Sequence, residues 1–327
     1  MIRLIRRLAA LAGALALTPS FALAQAQAPA WPTKPVKIFV GYPAGGLADV
    51  MARSVAQLMS ESLGQPVVVD NKPGANGNLA AEFVAKQPAD GYTLCLCSTV
   101  IESVNPFLYD RMGFDPVNDV VPVAATGRIQ LYVVAKPGLP VANFNEFLAL
   151  AKSQAAPLTY GSAGTGSSPH LLVEMFKRSA GFNAIHVPYK GAAPAIQDLL
   201  AGHIDFMFDP GLSLPHIKAG KLKVFAVVSA SRSALLPDTP TLAELGYKGL
   251  DYDTWFALYA RAGTSAAIAN RINETVNKAL ADPGLRSRYR ELGAEAVPMR
   301  MADIKAVATR ERAAFGQIIR DQAIQAD

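Results

Sequence analysis

Short apolar segments alternate with amphipathic segments along most of the chain. Apolar runs bounded by Gly, Pro, Asn or Asp are typical of buried strands, and they predict strands at residues 35–40, 66–69, 92–97, 158–160, 184–187, 204–208, 222–229 and 251–260. Amphipathic runs predict helices at residues 49–63, 79–86, 143–154, 168–179, 192–201, 265–291 (interrupted near 283–284) and 302–322. Residues 120–135 form a long, mostly apolar stretch without an assigned element.

Strands that alternate with helices of about 10–15 residues are typical of parallel βαβ units, so the sequence predicts an α/β fold. The chain has 327 residues, of which 51% are hydrophobic. That length is ample for a packed core and long for a single one, so we expect two lobes.

The N-terminus predicts export. Arg3, Arg6 and Arg7 precede an apolar run at residues 8–17, and Ala22-Leu-Ala24 fits a cleavage site, so residues 1–24 are predicted to be a signal peptide cleaved near Ala24. Removing it takes three of the 31 Lys and Arg residues, which leaves 28 against 26 Asp and Glu. The mature chain then carries about +2 and has no basic run, which argues against a nucleic-acid partner.

Cys95 and Cys97 are the chain's two cysteines, in the strand predicted at residues 92–97. Residues two apart on a strand point to the same face, where a disulfide would need a distorted backbone. No second pair or nearby His completes a metal site. We therefore expect two small buried side chains.

Glycine-rich loops that join a predicted strand to a predicted helix occur at residues 41–49, 160–170 and 187–194. Glycines let the backbone approach a ligand, and the unpaired amides at a helix start favour an anion. Each loop alone could be an ordinary turn, and Asp49 is predicted to cap its helix. All three lie at the carboxyl ends of strands, where open α/β sheets bind ligands, and together they predict a ligand cleft.

Signatures of catalysis and of cofactor binding are not found in the sequence. The loops lack the P-loop Lys and the dinucleotide glycine spacing, and G-x-S-x-G and H-E-x-x-H do not occur. His170 and Glu174 are four residues apart on one predicted helix and could chelate a metal, although a surface pair or a loop-bracing His is favoured. The alternative function is a secreted cleft enzyme, such as a metal-dependent hydrolase; no cofactor and no metal are predicted.

Seven motifs, in one order over nearly all of the mature chain, resemble the Bug family of extracytoplasmic receptors. These are the TctC-like solute-binding proteins of tripartite tricarboxylate transporters. The motifs are GYPAGGxxD at residues 41–49, VVVDNKPGANGN at 67–78, PADGYTL at 88–94, YGSAGTG at 160–166, HVPYKG at 186–191, IKAGKL at 217–222 and PTLAELG at 240–246.

The resemblance implies a type II periplasmic-binding-protein fold, in which two lobes with mainly parallel sheets are joined by two interlobe crossovers. The implied lobes are residues 25–125 plus 231–327, and residues 126–230. It implies a periplasmic, monomeric protein that captures a small, mostly carboxylated solute for membrane permease subunits or a signalling partner. Carried over position by position, the implied ligand contacts are Tyr42, Ala44, Gly45, Gly46, Ser98, Ala163, Gly164, Thr165, Ser167, Tyr189, Gly191, Ala192 and Asp209.

Three positions look atypical of the family. Leu47 and Ala48 stand where the family usually has Ser or Thr between the glycine pair and Asp49. The missing hydroxyl favours a more apolar ligand and leaves its identity open. Glu102, just past the third predicted strand, would repel an anionic ligand or bind an amine if it lay in the cleft.

Overall fold

The computed structural model describes residues 31–153 and 156–325, so the predicted signal peptide lies outside the described residues. Within these two segments, no helix is both long and apolar enough to cross a membrane. The described chain forms two β-sheets flanked by helices, which confirms the predicted α/β class.

The first sheet has six strands, in the order β11-β4-β10-β3-β1-β2. Only β1 pairs in parallel, with β2 and β3, and the other pairings are antiparallel. The strands are β1 (Val36–Val40), β2 (Val67–Asn71), β3 (Thr93–Ser98), β4 (Val120–Ile129), β10 (Thr254–Arg261) and β11 (Ala294–Glu295).

The second sheet has five strands, in the order β7-β6-β8-β5-β9. Here β6 is parallel to β7 and β8, whereas β5 is antiparallel to β8 and β9. Both sheets are therefore mixed, not mainly parallel as expected. The strands are β5 (Leu131–Ala135), β6 (Leu158–Ser162), β7 (Ala184–Pro188), β8 (Phe206–Asp209) and β9 (Lys223–Val228).

The chain passes between the sheets twice, as predicted. The unassigned apolar stretch forms β4 and β5, and the change of sheet takes place at Gln130. Parallel neighbouring strands need a crossover connection, usually a helix, and no helix lies between β4 and β5. Both strands can therefore run antiparallel to their neighbours. The chain returns through residues 229–253. The predicted lobe boundary at residues 125–126 falls inside β4 and stays a prediction.

Side chains tie the two passages together. The Gln130 amide lies 3.2 Å from Ser229 Oγ and 3.3 Å from the Ser231 carbonyl oxygen. Arg128 pairs with Asp253 at 2.7 Å and with Glu295 at 2.7 Å. The end of β4 is thereby fixed to both ends of the returning segment.

The predicted helices are confirmed, with small changes at their ends, and three short helices are added after β3 and β8. The predicted break near residues 283–284 separates two helices, and at the start of the second helix Asp282 accepts a hydrogen bond from the Leu285 amide. The helices are α1 (Leu47–Leu63), α2 (Asn78–Ala85), α3 (Val100–Ser103), α4 (Asn105–Leu108), α5 (Phe144–Ser153), α6 (Ser168–Ala180), α7 (Ala192–Ala201), α8 (Leu214–Lys218), α9 (Ala266–Leu280), α10 (Pro283–Glu291) and α11 (Met301–Asp321).

The core of the second sheet is completed by helices from the other part of the chain. Val104 and Leu108, which follow β3, pack in the same buried cluster as β5, β6 and β8. Phe315 and Ile319 of the C-terminal helix α11 join this cluster. Cys95 and Cys97 lie buried and unbridged in a separate cluster, as expected.

Replacing the Phe315 side chain by alanine tests whether α11 stabilises the second sheet. Phe315 is 2% exposed, so Phe315→Ala should lower the free energy of unfolding by about 3–5 kcal/mol, through lost burial and the cavity left behind. Thr309→Ala, at an exposed position on the same helix, should change it by less than about 0.5 kcal/mol. Urea unfolding measures both. Equal losses would show that α11 does not belong to this core.

Candidate functional site

Three loops join parallel strands to helices, as the sequence predicts. The first loop (residues 41–46) leads from β1 into α1, the second (162–167) from β6 into α6, and the third (189–191) from β7 into α7. The cap residues are Gly46, Ser167 and Gly191, and none closes its helix with a side-chain hydrogen bond. The first-turn amides of all three helices are therefore not occupied by their own cap residues, which suits an anionic group.

Tyr42 connects the first loop to the end of β3. Its hydroxyl lies 2.8 Å from Ser98 Oγ and accepts the Ser98 amide at 3.3 Å, while its ring packs edge-on against Phe256. Burial raises the pKa of Tyr42, so the phenol keeps its proton. Two predicted site residues, Tyr42 and Ser98, are thus in direct contact.

Asp49 does not cap α1 as predicted. The helix starts at Leu47, and Gly46 occupies the cap position. Asp49 is the third helical residue, and its carboxylate reaches back to accept the Gly45 amide at 3.0 Å. Gly45 has a φ of +76°, a left-handed conformation that favours glycine. Ala44, Gly45 and Gly46 are exposed.

Asn71, at the end of β2, supports the first loop and was missed by the sequence analysis. It donates to the Tyr42 carbonyl at 3.1 Å and to Asp49 at 2.9 Å. Burial alone would raise the pKa of Asp49, but hydrogen bonds from Arg53, the Gly45 amide and Asn71 lower it, so the carboxylate stays ionised. Asn71 ends β2 and pairs with Val40, the last residue of the parallel strand β1, from which the first loop starts. A polar residue at that position is the sequence signal that could have revealed the role of Asn71.

The second and third loops contact each other. The Tyr189 amide donates to the Ser162 carbonyl at 3.2 Å. Within the second loop, Ser167 Oγ donates to the Gly164 carbonyl at 2.7 Å, and Ser162 Oγ lies 3.1 Å from the Gly164 amide. Ala163, Gly164, Thr165 and Ser167 are half-buried, as are Gly191 and Ala192 at the start of α7.

Tyr189 presents an acceptor rather than a donor. Its hydroxyl donates to Asp198 at 2.6 Å. Burial, together with the hydrogen bond to Asp198, raises the pKa of Tyr189 to about 12. Because the phenolic proton is committed to Asp198, the remaining lone pair of the oxygen would meet a hydroxyl or N–H group of a ligand.

Asp209 organises the loop that follows β8. It is fully buried, and its Oδ2 accepts the Gly211 amide at 2.8 Å, the Ser213 amide at 2.9 Å and Ser213 Oγ at 2.6 Å. Burial raises the pKa of Asp209, against the lowering effect of these donors. Oδ2 thus binds its own loop, whereas the buried Oδ1 has no hydrogen-bond partner among the described residues. The other predicted residues lie at the ends of strands of the two sheets, one group at each sheet.

His170 and Glu174 serve different partners. His170 Nδ1 accepts the Gly166 amide at 3.1 Å, which confirms the loop-bracing interpretation. Glu174 accepts the Tyr160 hydroxyl at 2.5 Å and Lys177 Nζ at 2.6 Å. Over residues 31–153 and 156–325, no three His, Cys, Asp or Glu side chains are grouped so that they could hold a metal.

Glu102, which the sequence analysis singled out, is buried and lies among partners of the protein itself. Its carboxyl group lies against Tyr259 and faces Lys305 and Arg312 of α11. Burial raises the pKa of Glu102 to about 7. Leu47, by contrast, is half-buried at the first turn of α1, next to the first loop.

Two surface grooves lie outside the predicted site. One, of about 380 Å³, runs between α1 and α9. Another, of about 310 Å³, lies beside Gln130 and is lined by Arg286, Arg290 and Glu295. Neither groove is lined by a predicted site residue.

A family model described as "Tripartite tricarboxylate transporter family receptor" (TctC) matches residues 51–324. The chain belongs to this receptor family. BugT of Bordetella pertussis is 36% identical over 294 residues, which cover 89% of this chain and 90% of BugT. The family assignment confirms the resemblance seen in the seven motifs.

Solved structures agree with the fold of this TctC-type receptor. The R. palustris protein Rpa4515 with adipate has a TM-score of 0.81 and 35% identity, covering 90% of this chain and 99% of its own. MatC (Rpa3494) from Rhodopseudomonas palustris with bound malate has a TM-score of 0.75 and 28% identity, covering 87% of this chain and 100% of its own. The chain is therefore a solute-binding receptor of the periplasmic-binding-protein class.

The buried imidazole of His170 makes the receptor sensitive to acid. Burial, followed by the charges of His186 and Lys177, lowers the pKa of His170 to about 3 from an ordinary 6.5. The unfolded chain therefore binds a proton that the folded chain excludes, so the stability contribution is complete above pH 6.5 and is lost as the pH falls towards 3. Between pH 5.5 and 4, the parent should lose up to about 1.4 kcal/mol more per pH unit than His170→Asn. Urea unfolding across this range measures the difference, and parallel slopes would contradict it.

Proposed function

We propose that this receptor is exported to the periplasm and captures a small carboxylated solute between its three loops. The observation that carries the proposal is the convergence of loop chemistry: three helix starts without side-chain caps, each preceded by a glycine-rich loop. Adipate and malate, the ligands of the two similar solved proteins, are both dicarboxylates. The proposed contacts are Tyr42, Ala44, Gly45, Gly46, Ser98, Ala163, Gly164, Thr165, Ser167, Tyr189, Gly191 and Ala192, with Asp209 supporting its own loop.

Neutral groups would hold the carboxylates in this proposal. The proposed contacts include no Lys or Arg, and the nearest cation in sequence, Lys190, is exposed. Backbone amides at helix starts and the hydroxyls of Ser98, Thr165 and Ser167 supply the donors. Such donors recognise a carboxylate by geometry, at a smaller desolvation cost than a buried ion pair.

The solute proposed here has an apolar skeleton. Leu47 lies at the first turn of α1 in place of a hydroxyl residue, and Ala48 behind it is buried. An aliphatic chain between two carboxylates, as in adipate, matches Leu47 better than the hydroxylated chain of malate. Tyr189, with its proton committed to Asp198, adds an acceptor for a ligand that carries one donor.

The proposed lobes are residues 25–125 plus 231–327, and residues 126–230. The two groups of loop contacts belong to different sheets, so a solute bound by both would favour closure about the two passages. We propose that the receptor acts as a monomer, delivers its solute to membrane permease subunits or a signalling partner, and is not an enzyme. His170 and Glu174, which suggested a hydrolase, are engaged in bracing the second loop and binding Lys177.

A ligand panel tests the proposed solute class. Protein refolded from denaturant, to remove any co-purified ligand, is heated with adipate, malate or the diamide of each acid. A dicarboxylate at 100 times its Kd should stabilise the protein by about 2.7 kcal/mol, whereas the diamides should have no effect. Calorimetry then gives the affinity. Equal stabilisation by acid and diamide would contradict carboxylate recognition.

Gly46→Val tests the first loop. Gly46 has φ −75° and ψ 169°, a conformation open to valine, and its β-carbon would lie 3.3 Å from the Pro43 carbonyl oxygen. The branched side chain should block approach to the first turn of α1 and weaken dicarboxylate binding at least roughly tenfold without unfolding the protein. Asp49→Ala is the control for loop support and should lower the free energy of unfolding by about 1–3 kcal/mol. A folded Gly46→Val variant that binds like the parent would remove the first loop from the site.

A further inference from the structure

A stack of three aromatic rings lies beneath the second loop. The rings of Tyr160 (β6) and His186 (β7) have centroids 4.9 Å apart, and those of His186 and His170 (α6) are 3.9 Å apart with an interplanar angle of 6°. The family assignment gives this cluster no role, and the proposed solute contacts do not include it.

Each imidazole of the stack reaches a different end of the second loop. At the start of the loop, His186 Nε2 lies 2.7 Å from Ser162 Oγ. That oxygen lies within 3.1 Å of both the amide and the carbonyl of Gly164. Near the other end, His170 Nδ1 accepts the Gly166 amide at 3.1 Å. The stacked pair therefore fixes the backbone of the loop at two points.

Gly166 is also confined from its other side. It is buried, and a β-carbon there would lie 2.0 Å from Leu108 Cδ1 of α4. Its φ of +75° favours glycine. Gly166 thus lies close to Leu108 at its Cα and to His170 at its amide, and both contacts restrict the conformations of this part of the loop.

The contact with the Gly166 amide requires that Nδ1 of His170 carries no proton, because a ring nitrogen accepts a hydrogen bond only through a free lone pair. The titratable groups around the ring are His186 on β7, Tyr160 on β6, and Glu174 and Lys177 on α6. Glu174 is paired with Lys177 and Tyr160, so it does not compete for His170 through those contacts. Burial lowers the pKa of His170 to about 3, which keeps the acceptor in place at neutral pH.

We propose that His170 is a positioning residue: with His186 stacked on it, its unprotonated Nδ1 holds the Gly166 amide and so sets the shape of the solute-binding second loop. The effect on solute affinity rests on the proposed function, whereas the order of the loop does not. A preformed loop loses little conformational freedom on binding, and this is the source of the expected gain in affinity.

Two substitutions separate the acceptor from the ring. His170→Phe keeps a ring that can stack on His186 but has no acceptor for the Gly166 amide. His170→Asn loses the ring, while its Oδ1 takes the place of Nδ1. If packing alone matters, Phe is the milder change in every assay, because Asn leaves a cavity in a buried site. If positioning matters, Asn preserves the loop and its binding even though it is the less stable variant.

The test measures hydrogen exchange of the amides at residues 163–167 by NMR, thermal stability, and affinity for adipate and malate by calorimetry. We expect exchange at Gly166 to be roughly 5- to 150-fold faster in His170→Phe than in the parent, with a similar loss of affinity, and His170→Asn to stay close to the parent in both.

The possible outcomes are distinct. The proposal would be overturned if the exchange rate at Gly166 and the affinity changed in step with thermal stability. In that outcome His170→Phe would stay close to the parent, and His170→Asn would exchange faster and bind more weakly. If neither acid binds the parent but exchange at Gly166 follows the expected order, the positioning role of His170 is supported and the proposed solute class fails. Dicarboxylate binding by a parent whose Gly166 exchange is unaffected by both substitutions would refute the positioning role and leave the proposed function intact.

Discussion

The side chain of Gln130 holds the junction on which the architecture depends. The chain changes sheet at this residue, and its amide binds Ser229 and Ser231 at the start of the returning segment. β4 ends just before Gln130 and β5 begins just after it. The buried backbone groups of each strand need hydrogen-bond partners, which β4 finds in the first sheet and β5 in the second. The two passages therefore run side by side where the chain changes sheet.

Three carboxylates near these loops act on the protein itself. Asp49 binds the Gly45 amide, Asp198 binds the Tyr189 hydroxyl, and Asp209 binds the loop after β8. Each carboxylate accepts hydrogen bonds from backbone or hydroxyl groups, and the three loops present mainly amides, hydroxyls and glycines, with Lys190 exposed in the third loop. Asp49 and Asp209 are buried, where a charge is costly unless it is paired or hydrogen-bonded, and both carboxylates use their hydrogen bonds to support the loops.

Local patterns predicted most elements, since the alternation of apolar and amphipathic runs marks strands and helices directly. They did not reveal the change of sheet at Gln130, because the apolar stretch resumes at Leu131 and no Gly, Pro, Asn or Asp lies between Arg128 and Leu131. The direct connection from β4 to β5 also allows antiparallel pairing in both sheets. The alternation of strands and helices in the sequence does not show the direction in which each strand runs. At the site, residue type favoured Asp49 as the cap, whereas the backbone of Gly46 takes that position. Asn71 and His186 were missed because their partners, Tyr42 and Ser162, are distant in sequence.

For a receptor, support of this kind has a consequence for selectivity. Neutral donors on a rigid rim contribute little energy to a ligand whose oxygen atoms are misplaced, because hydrogen bonds weaken steeply with poor geometry. Long-range attraction by a cation would instead favour any anion of suitable size. The proposed site, built from amides and hydroxyls, would therefore discriminate by the spacing of carboxylates and the nature of the chain between them. It would also release its solute without separating a buried ion pair.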